Sequence, residues 1–404
     1  MIRKVDILAR AAEWGLRPDV VEKDYVLGWL LAGVATHAST RDHWVFKGGT
    51  CLKKCIIETY RFSEDLDFTL LPDAAYSEAA IAETLREIAA LVAEWSGIRF
   101  PAPEVTVHPR VDRLGRETFE GRIGYIGPMA VPGPPKIRFD LTMHESLIQP
   151  PRRRTVLHPY PDELPPDATV NTYSFPELLA EKLRALCERA RPRDLYDVIR
   201  LADLELSAAE RSKLREVIKA KFGAKGLVVP TTAAVIELVV SSEEMRSEWD
   251  NMLAHQLPEL PALDDQLARL PRAIDWLEEH VPGPAQQRLA PIGGGANETL
   301  VVERGMRMWG GGVPIEAIRF AGSSRLLVEF TYHGHRRVVE PYSLRTPRTG
   351  NLLLYGFERE KNGARTDDIR AYQVGEISGV RILQRGFTPR YAVEFTAPDA
   401  GWRQ

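Results

Sequence analysis

Apolar residues recur along this chain with two alternating periods, and the switches between them outline its elements. Over residues 19–35, Val20, Val21, Tyr25, Leu27, Leu30, Leu31 and Val34 follow helical spacing, which predicts a helix. A short strand from His43 to Lys47 leads into the turn Gly48-Gly49-Thr50; a helix is expected over about 50–59 and a strand over 65–70. Residues 75–95 read as a helix stopping near Gly97, and residues 98–108 and 117–127 read as strands. Lys136 to Thr142 alternates strictly, with Ile137, Phe139 and Leu141 on one face and Arg138, Asp140 and Thr142 on the other. Residues from about 175 to 280 are mostly helical in pattern. Beyond them come short strands, Leu326 to Tyr332, Arg336 to Glu340 and Leu352 to Phe357, separated by glycine and proline turns. The pattern predicts a mixed α/β (α+β) chain.

The periodicity fails near residues 281–287 and 293–297, where proline, glycine and small polar residues cluster. We read this as a linker, about 282–300, between an N-terminal unit and a C-terminal domain of residues 301–404. Within the N-terminal unit, residues 1–170 form an α/β part and 171–281 a helical part. A chain of 404 residues has room for two or three domains.

Charge changes this picture little. The net charge of −3 argues against a generic polyanion binder, although residues 291–404 hold 16 Lys and Arg against 12 Asp and Glu. That surplus is compatible with nucleic-acid contact by the C-terminal part. No apolar run is long enough to span a membrane and Met1 to Asp6 has no signal-peptide pattern, so a cytoplasmic location is expected. Cys51, Cys55 and Cys187 form no metal-ligand pattern and read as small buried side chains of a reducing compartment.

The chemistry concentrates in two places. Asp65 and Asp67 stand at i and i+2 of a predicted strand, so both carboxylates share a face while Leu66, Phe68 and Leu70 point into a core. Two adjacent carboxylates repel, and a divalent cation such as Mg²⁺ (or Mn²⁺) relieves the repulsion. The nearby Gly48-Gly49-Thr50 turn lets backbone N–H groups approach a phosphate. Together they suggest a metal-dependent site for a nucleoside triphosphate. Asp140 is a third carboxylate on a polar strand face, either a ligand or simply an exposed strand residue. The second place is the helix after Phe175, where Lys182 projects along the stripe formed by Leu178, Leu179, Ala185 and Leu186. It either snorkels at the core edge or aims its charge at a triphosphate. Pro192 breaks that helix, and Asp194 caps the next or serves catalysis; Glu181, Lys182, Asp194 and Asp197 could equally form a structural ion-pair network. Arg152-Arg153-Arg154 is a solvated loop or an RNA-backbone contact. His333 and His335 lack the further ligands a metal site needs.

Gly48-Gly49-Thr50, Arg61-Phe62-Ser63-Glu64-Asp65-Leu66-Asp67, Glu177 to Lys182 and Arg193-Asp194-Leu195-Tyr196-Asp197 together resemble the AbiEii/AbiGii-type nucleotidyltransferase toxins, over roughly residues 1–280. Val21 to Tyr25 is similar to that family's N-terminal helix. The resemblance implies a polymerase-β-like core with added helices and a toxin of a bacterial toxin–antitoxin or phage-defence system, with a cognate antitoxin. It further implies transfer of a nucleotide to RNA, with the tRNA 3′ acceptor end as the expected target. Carried over, Gly48, Gly49, Thr50 and Ser63 bind the nucleotide. Asp65, Asp67 and, less securely placed, Asp140 hold the metal, Lys182 contacts the nucleotide and Asp194 completes the site. The C-terminal part resembles a WYL domain, a small Sm-like β-barrel. The resemblance is carried by Arg336 to Leu344, Asn351 to Gly356, Asp368-Ile369-Arg370 and Phe387-Thr388-Pro389; Leu352-Leu353-Leu354 stands in place of Trp-Tyr-Leu. It implies ligand or nucleic-acid sensing, with Arg336, Arg337, Arg345 and Arg370 as candidate contacts.

Two other functions share these motifs. A phosphotransferase would move the γ-phosphate with the same carboxylates. A non-catalytic regulator would act through the C-terminal domain alone, although no helix-turn-helix segment is evident.

Overall fold

In a computed structural model of the chain, the structure describes residues 1–58, 60–72, 76–111, 115–204, 208–278, 286–292, 298–301, 315–347 and 350–396. Residues 282–285 and 293–297 of the expected linker therefore lie outside the described residues. The described stretch 286–292 lies against the C-terminal part: Gln286 donates to the Pro389 carbonyl at 2.7 Å, and the Leu289 carbonyl accepts from Arg345 at 3.0 Å.

Two helices open the chain, α1 (Lys4–Trp14) and α2 (Pro18–Thr36). Almost every side chain of α2 from Val20 to Ala35 is buried, including Glu22 and Asp24. The buried carboxylates are satisfied locally. Asp24 accepts from the Lys54 ammonium at 2.5 Å and the Tyr160 hydroxyl at 2.9 Å, and Glu22 accepts from the Met129 backbone N–H at 2.6 Å.

Strand β1 (Trp44–Lys47) then runs into α3 (Gly48–Cys51). The helix expected over 50–59 is shorter and wider than its sequence suggests. A π-helical turn occupies Leu52–Ile56, and the Ile57 N–H reaches back five residues to the Leu52 carbonyl at 2.7 Å. Strand β2 (Asp65–Leu70) matches expectation, as does α4 (Glu78–Ser96), which Ser77 caps and Gly97 ends at φ +73°. The strand expected over 98–108 begins only at β3 (Val105–Val111), because Pro101 starts a short 3₁₀ turn. Strands β4 (Glu117–Gly124), β5 (Lys136–Thr142), β6 (Arg152–Thr155) and β7 (Thr169–Thr172) complete the sheet.

Among the described residues the strands hydrogen-bond in the order β3-β4-β5-β2-β1-β7-β6. The pairs β2–β5 and β1–β7 are parallel, the others antiparallel. One face is apolar: Phe46, Phe68 and Phe139 lie ring to ring at 5.1 and 6.4 Å, with α2 and α4 over that core. The register puts Asp67 opposite both Lys47 and Asp140, and Asp65 opposite Arg138.

A helical array follows: α5 (Phe175–Arg189), α6 (Pro192–Ala202), α7 (Ala208–Gly223), α8 (Thr232–Ser241), α9 (Glu243–Ser247), α10 (Trp249–Leu253) and α11 (Leu263–Ile274). Helices α5 and α6 form a hairpin closed by Ala190 at φ +44°. Asp194 does not cap α6. It sits inside the first turn, and its carboxylate takes the Arg189 guanidinium instead.

A separate C-terminal antiparallel sheet comprises β8 (Thr299–Leu300), β9 (Leu326–Tyr332), β10 (His335–Thr346), β11 (Leu353–Lys361), β12 (Ala364–Gln373) and β13 (Ile377–Gly386). Its order is β12-β11-β10-β9-β13, with β8 on β10. Helix α12 (Ile315–Ser324) packs on β9, β10 and β13. Strands β10 and β11 run past their expected ends, and there Arg345 pairs with Glu394, Glu358 with Arg337 and Arg359 with Glu340.

Candidate active site

The site begins where β1 stops. Gly48 has φ +82°, a backbone region closed to most side chains. It has no space for one either, since a Cβ there would lie 2.1 Å from Asp67 Oδ2. The turn therefore seats the Asp67 carboxylate directly against the backbone. At Gly49 a Cβ would come within 3.0 Å of the Arg61 guanidinium and 3.1 Å of Ser63 Oγ, which places Ser63 over the same turn. Thr50 donates its hydroxyl to the Asp65 carbonyl at 2.5 Å and ties the turn to β2.

Asp65, Asp67 and Asp140 lie on neighbouring positions of the parallel pair β2–β5. The Arg138 guanidinium, from the same face of β5, reaches Asp65 at 2.8 Å and Asp140 at 3.1 Å. Asp67 is left as the crowded carboxylate. Burial, followed by the charge of Asp140, raises its pKa to about 6 against the pull of Lys47 and Lys182, with Asp65 adding to the rise. Burial raises Asp140 as well. Among the described residues, no three His, Cys, Asp or Glu side chains stand as a preformed ligand cage. Even so, three carboxylates on adjacent strand positions, two of them raised first by burial and then by a neighbouring carboxylate, are a donor set that a hard divalent cation fits.

The facing wall comes from α5 and α6. Lys182 Nζ meets Asp197 Oδ2 at 2.7 Å, and the Arg61 guanidinium grips both Asp197 oxygens at 2.7 and 2.8 Å. Asp197 is fully buried. Burial alone would raise its pKa, but Arg61 and Lys182 hold the carboxyl well below the usual range. Arg61 also donates to Gln256 Oε1 at 2.8 Å. Lys182 is thus neither loose nor snorkelling: one buried carboxylate fixes it, and an arginine close to Ser63 fixes that carboxylate.

Between the walls opens a cavity of about 550 Å³, within the usual range for small-molecule sites. Lys47, Gly48 and Asp67 line it from the sheet and Lys182, Arg184 and Arg189 from α5, with Arg116 and Lys225 also lining it; Glu181 and Glu188 are in its wall too. The cations outnumber the carboxylates, which suits a polyanion. Lys47 is itself ion-paired to the buried Glu145.

The structure thus brings together Gly48, Gly49, Thr50, Ser63, Asp65, Asp67, Asp140 and Lys182. Asp194 stands apart: it is buried, holds Arg189 at 2.6 and 2.9 Å, and touches the cavity wall only through that arginine. The residue beside Lys182 is Asp197, which the sequence offered only as part of a network. Sequence reasoning also passed over Lys47, Arg138, Glu145, Arg189 and Lys225. Arg138 was within reach, two residues before Asp140 on the same strand face; Glu145 and Lys225 carry no local signal.

In the C-terminal sheet the four candidate arginines do not converge. Arg337 is bound to Glu358 at 2.8 Å, and Arg345 to Glu394 at 3.1 Å and Glu298 at 3.3 Å, both at little-exposed positions. Arg336 pairs with Glu329 at 3.2 Å, and Arg370 with Asp368 at 2.8 Å at the surface.

A family model described as "Nucleotidyl transferase AbiEii toxin, Type IV TA system" matches residues 29–278. Among solved structures, MenT4, a nucleotidyltransferase toxin from Mycobacterium tuberculosis H37Rv, is similar at 20% identity and a TM-score of 0.48, over 70% of this chain and 91% of that one. No curated protein matches the chain.

Proposed function

Because the chain belongs to the AbiEii family of nucleotidyltransferase toxins of type IV toxin–antitoxin systems, we propose that it transfers a nucleoside monophosphate from an NTP to RNA, with the tRNA 3′ acceptor end as target. Membership makes the chain a nucleotidyltransferase using an NTP and implies an antitoxin partner. The setting we propose is cytoplasmic, in toxin–antitoxin control or phage defence. No described helix is long and apolar enough to cross a membrane. We assign catalysis to residues 1–281 and a WYL-like sensing or targeting role to 301–404.

The observation that carries the reading is that Asp67, beside Asp65 and Asp140 on the paired strands, lines the same cavity of about 550 Å³ as Lys182, Arg184, Arg189 and Lys225. Asp65 and Asp67, with Asp140 beside them, would hold Mg²⁺, which when bound offsets the charge that builds on the phosphate oxygens. The chain's own residues do the rest. Lys182, held by Asp197, and the basic wall of Arg184, Arg189 and Lys225 receive the triphosphate and stabilise the departing pyrophosphate. The acceptor hydroxyl forms the new bond to the α-phosphorus as the bond to pyrophosphate breaks. Its proton passes to a carboxylate of the Asp65–Asp67–Asp140 cluster that the cation leaves free.

The test is incubation of purified protein with Mg²⁺, total tRNA and NTPs labelled at the α or the γ position. Label from the α position in tRNA, abolished by Asp65→Ala, is expected. No labelling by wild type, or equal labelling by Asp65→Ala, refutes the mechanism; transfer of γ label instead makes the protein a phosphotransferase.

A further inference from the structure

Helix α12 lies outside the segment that matches the family model, yet it grips the elements that hold Lys182 in place. The Arg319 side chain, only 5% exposed, donates to Glu58 Oε2 at 3.0 Å and is steadied by Glu316 at 2.9 Å. Glu58 is itself little exposed and follows directly on the π-helical turn. Three residues later comes Arg61, whose fork closes on Asp197, and Asp197 closes on Lys182. Beside the ion pair, Phe320 faces Trp14, Tyr60 and Phe62 across a cavity of about 40 Å³. The Lys53 ammonium lies 4.3 Å from the Phe62 ring. The next residue after α12, Arg325, reaches Asp203, immediately after α6, at 3.9 Å. Helix α6 carries Asp197. The C-terminal module therefore holds both sides of the Arg61–Asp197 pair, the segment that supplies the arginine and the helix that supplies the carboxylate.

We propose that Arg319 is a positioning residue for nucleotidyl transfer: through Glu58 it fixes the segment bearing Arg61, and so sets Asp197 and Lys182 against the nucleotide. The C-terminal module is then a working part of the active site. The physical reason is the stiffness of a buried chain of charges. Arg319 and Glu58 are both little exposed and meet in a fixed geometry, so cutting their contact removes a tie between α12 and the segment that bears Arg61. A shift of about 1 Å at a catalytic group far from the altered residue is enough to cost on the order of a hundredfold in rate. The inference rests on the reading of Lys182 as a nucleotide contact.

The experiment uses the full chain with Glu58→Gln, Arg319→Gln, the double variant, Arg319→Lys and Lys182→Met. The folded fraction is measured by circular dichroism, and transfer of α-labelled NTP to total tRNA is expressed per folded molecule. Each single glutamine variant is expected to lose tenfold or more in kcat/KM for the NTP, while the KM for tRNA stays within twofold. The double variant should be no worse than the poorer single one, because both substitutions cut the same link. Arg319→Lys should recover part of the loss. A role confined to folding would lower the folded fraction and leave kcat/KM per folded molecule unchanged, and that result overturns the proposal. Multiplied losses in the double variant overturn it too. If Arg319→Gln does not fold, Glu58→Gln and Arg319→Lys decide on the same criteria. Wild-type rates in Lys182→Met would remove the underlying reading; a dead Lys182→Met beside a fully active Glu58→Gln removes only this inference.

Discussion

Replacing Asp67 with asparagine should make the metal-free protein more stable while destroying its activity. Asp67 stands beside Asp140 and Asp65 with its carboxylate pressed on the Gly48 turn, and its pKa is raised to about 6. An unfolded aspartate titrates near 3.9. Between these values the native state keeps a proton that the unfolded chain has released, so stability falls as pH rises through that window and stays lowered above it. Two pH decades at 1.36 kcal/mol each set an upper limit of about 3 kcal/mol for the cost at pH 7.5. Relaxation of the cluster and its cations reduces that figure, and even 1 kcal/mol moves the melting point by about 2–4 °C in a domain of 150–250 residues. Asparagine keeps the shape and removes the charge. Thermal unfolding in EDTA should therefore show Asp67→Asn melting above wild type at pH 7.5, with the gap closing as pH falls toward 4. Adding Mg²⁺ should raise wild type and leave the variant unmoved, since ligand binding stabilises only the form that binds. A variant that melts lower than wild type at pH 7.5 in EDTA refutes the reasoning, because the carboxylate would then be favourably paired rather than crowded.

Three further outcomes follow from the same geometry. Gly48→Ala forces a side chain to within 2.1 Å of Asp67 at φ +82°; transfer should fall about a hundredfold or more, by displacement of the carboxylate, in the tRNA-labelling assay. Asp197→Asn leaves Arg61 and Lys182 buried without their shared counter-charge and should cost about 3–5 kcal/mol in urea unfolding at neutral pH. Because the native carboxyl titrates below its unfolded value, that gap should persist down to about pH 4 and narrow only in stronger acid. Asp24→Ala strands the Lys54 ammonium, whose side chain is 1% exposed, and should cost a similar 3–5 kcal/mol, whereas Asp24→Leu combined with Lys54→Met should recover most of it.

The parts of the site that sequence made legible are those fixed by local geometry. A strand turns every second residue to one face, so Asp65 with Asp67, and Asp140 behind Phe139 and Leu141, could be placed from spacing alone. The Gly48 turn was legible for the same reason, because few residues other than glycine tolerate its backbone. Lys182 stood out as a charge on an apolar stripe, which requires a partner. Spacing could not name that partner. Asp194 and Asp197 are both buried on α6, and which of them meets Lys182 is set by how α5 and α6 cross at Ala190, a tertiary fact. The arginines of the C-terminal strands were named from the resemblance alone, which does not reveal their partners: Arg337 and Arg345 meet Glu358, Glu298 and Glu394.

The π-helical turn shows how such a long-range fact can still leave a local trace. An α-helix continued through Leu52–Ile56 would carry the chain onward in register. The wider turn instead releases it at Ile57, and Glu58 and Arg61 are delivered to partners 261 and 136 residues away. The irregular turn thus lies between two rows of charge, one ending at Lys182 in the cavity wall and the other at Arg319 of α12. The break in regularity lets one short segment meet charges on both sides, and it joins the Gly48 turn to a part of the chain that the family model does not cover.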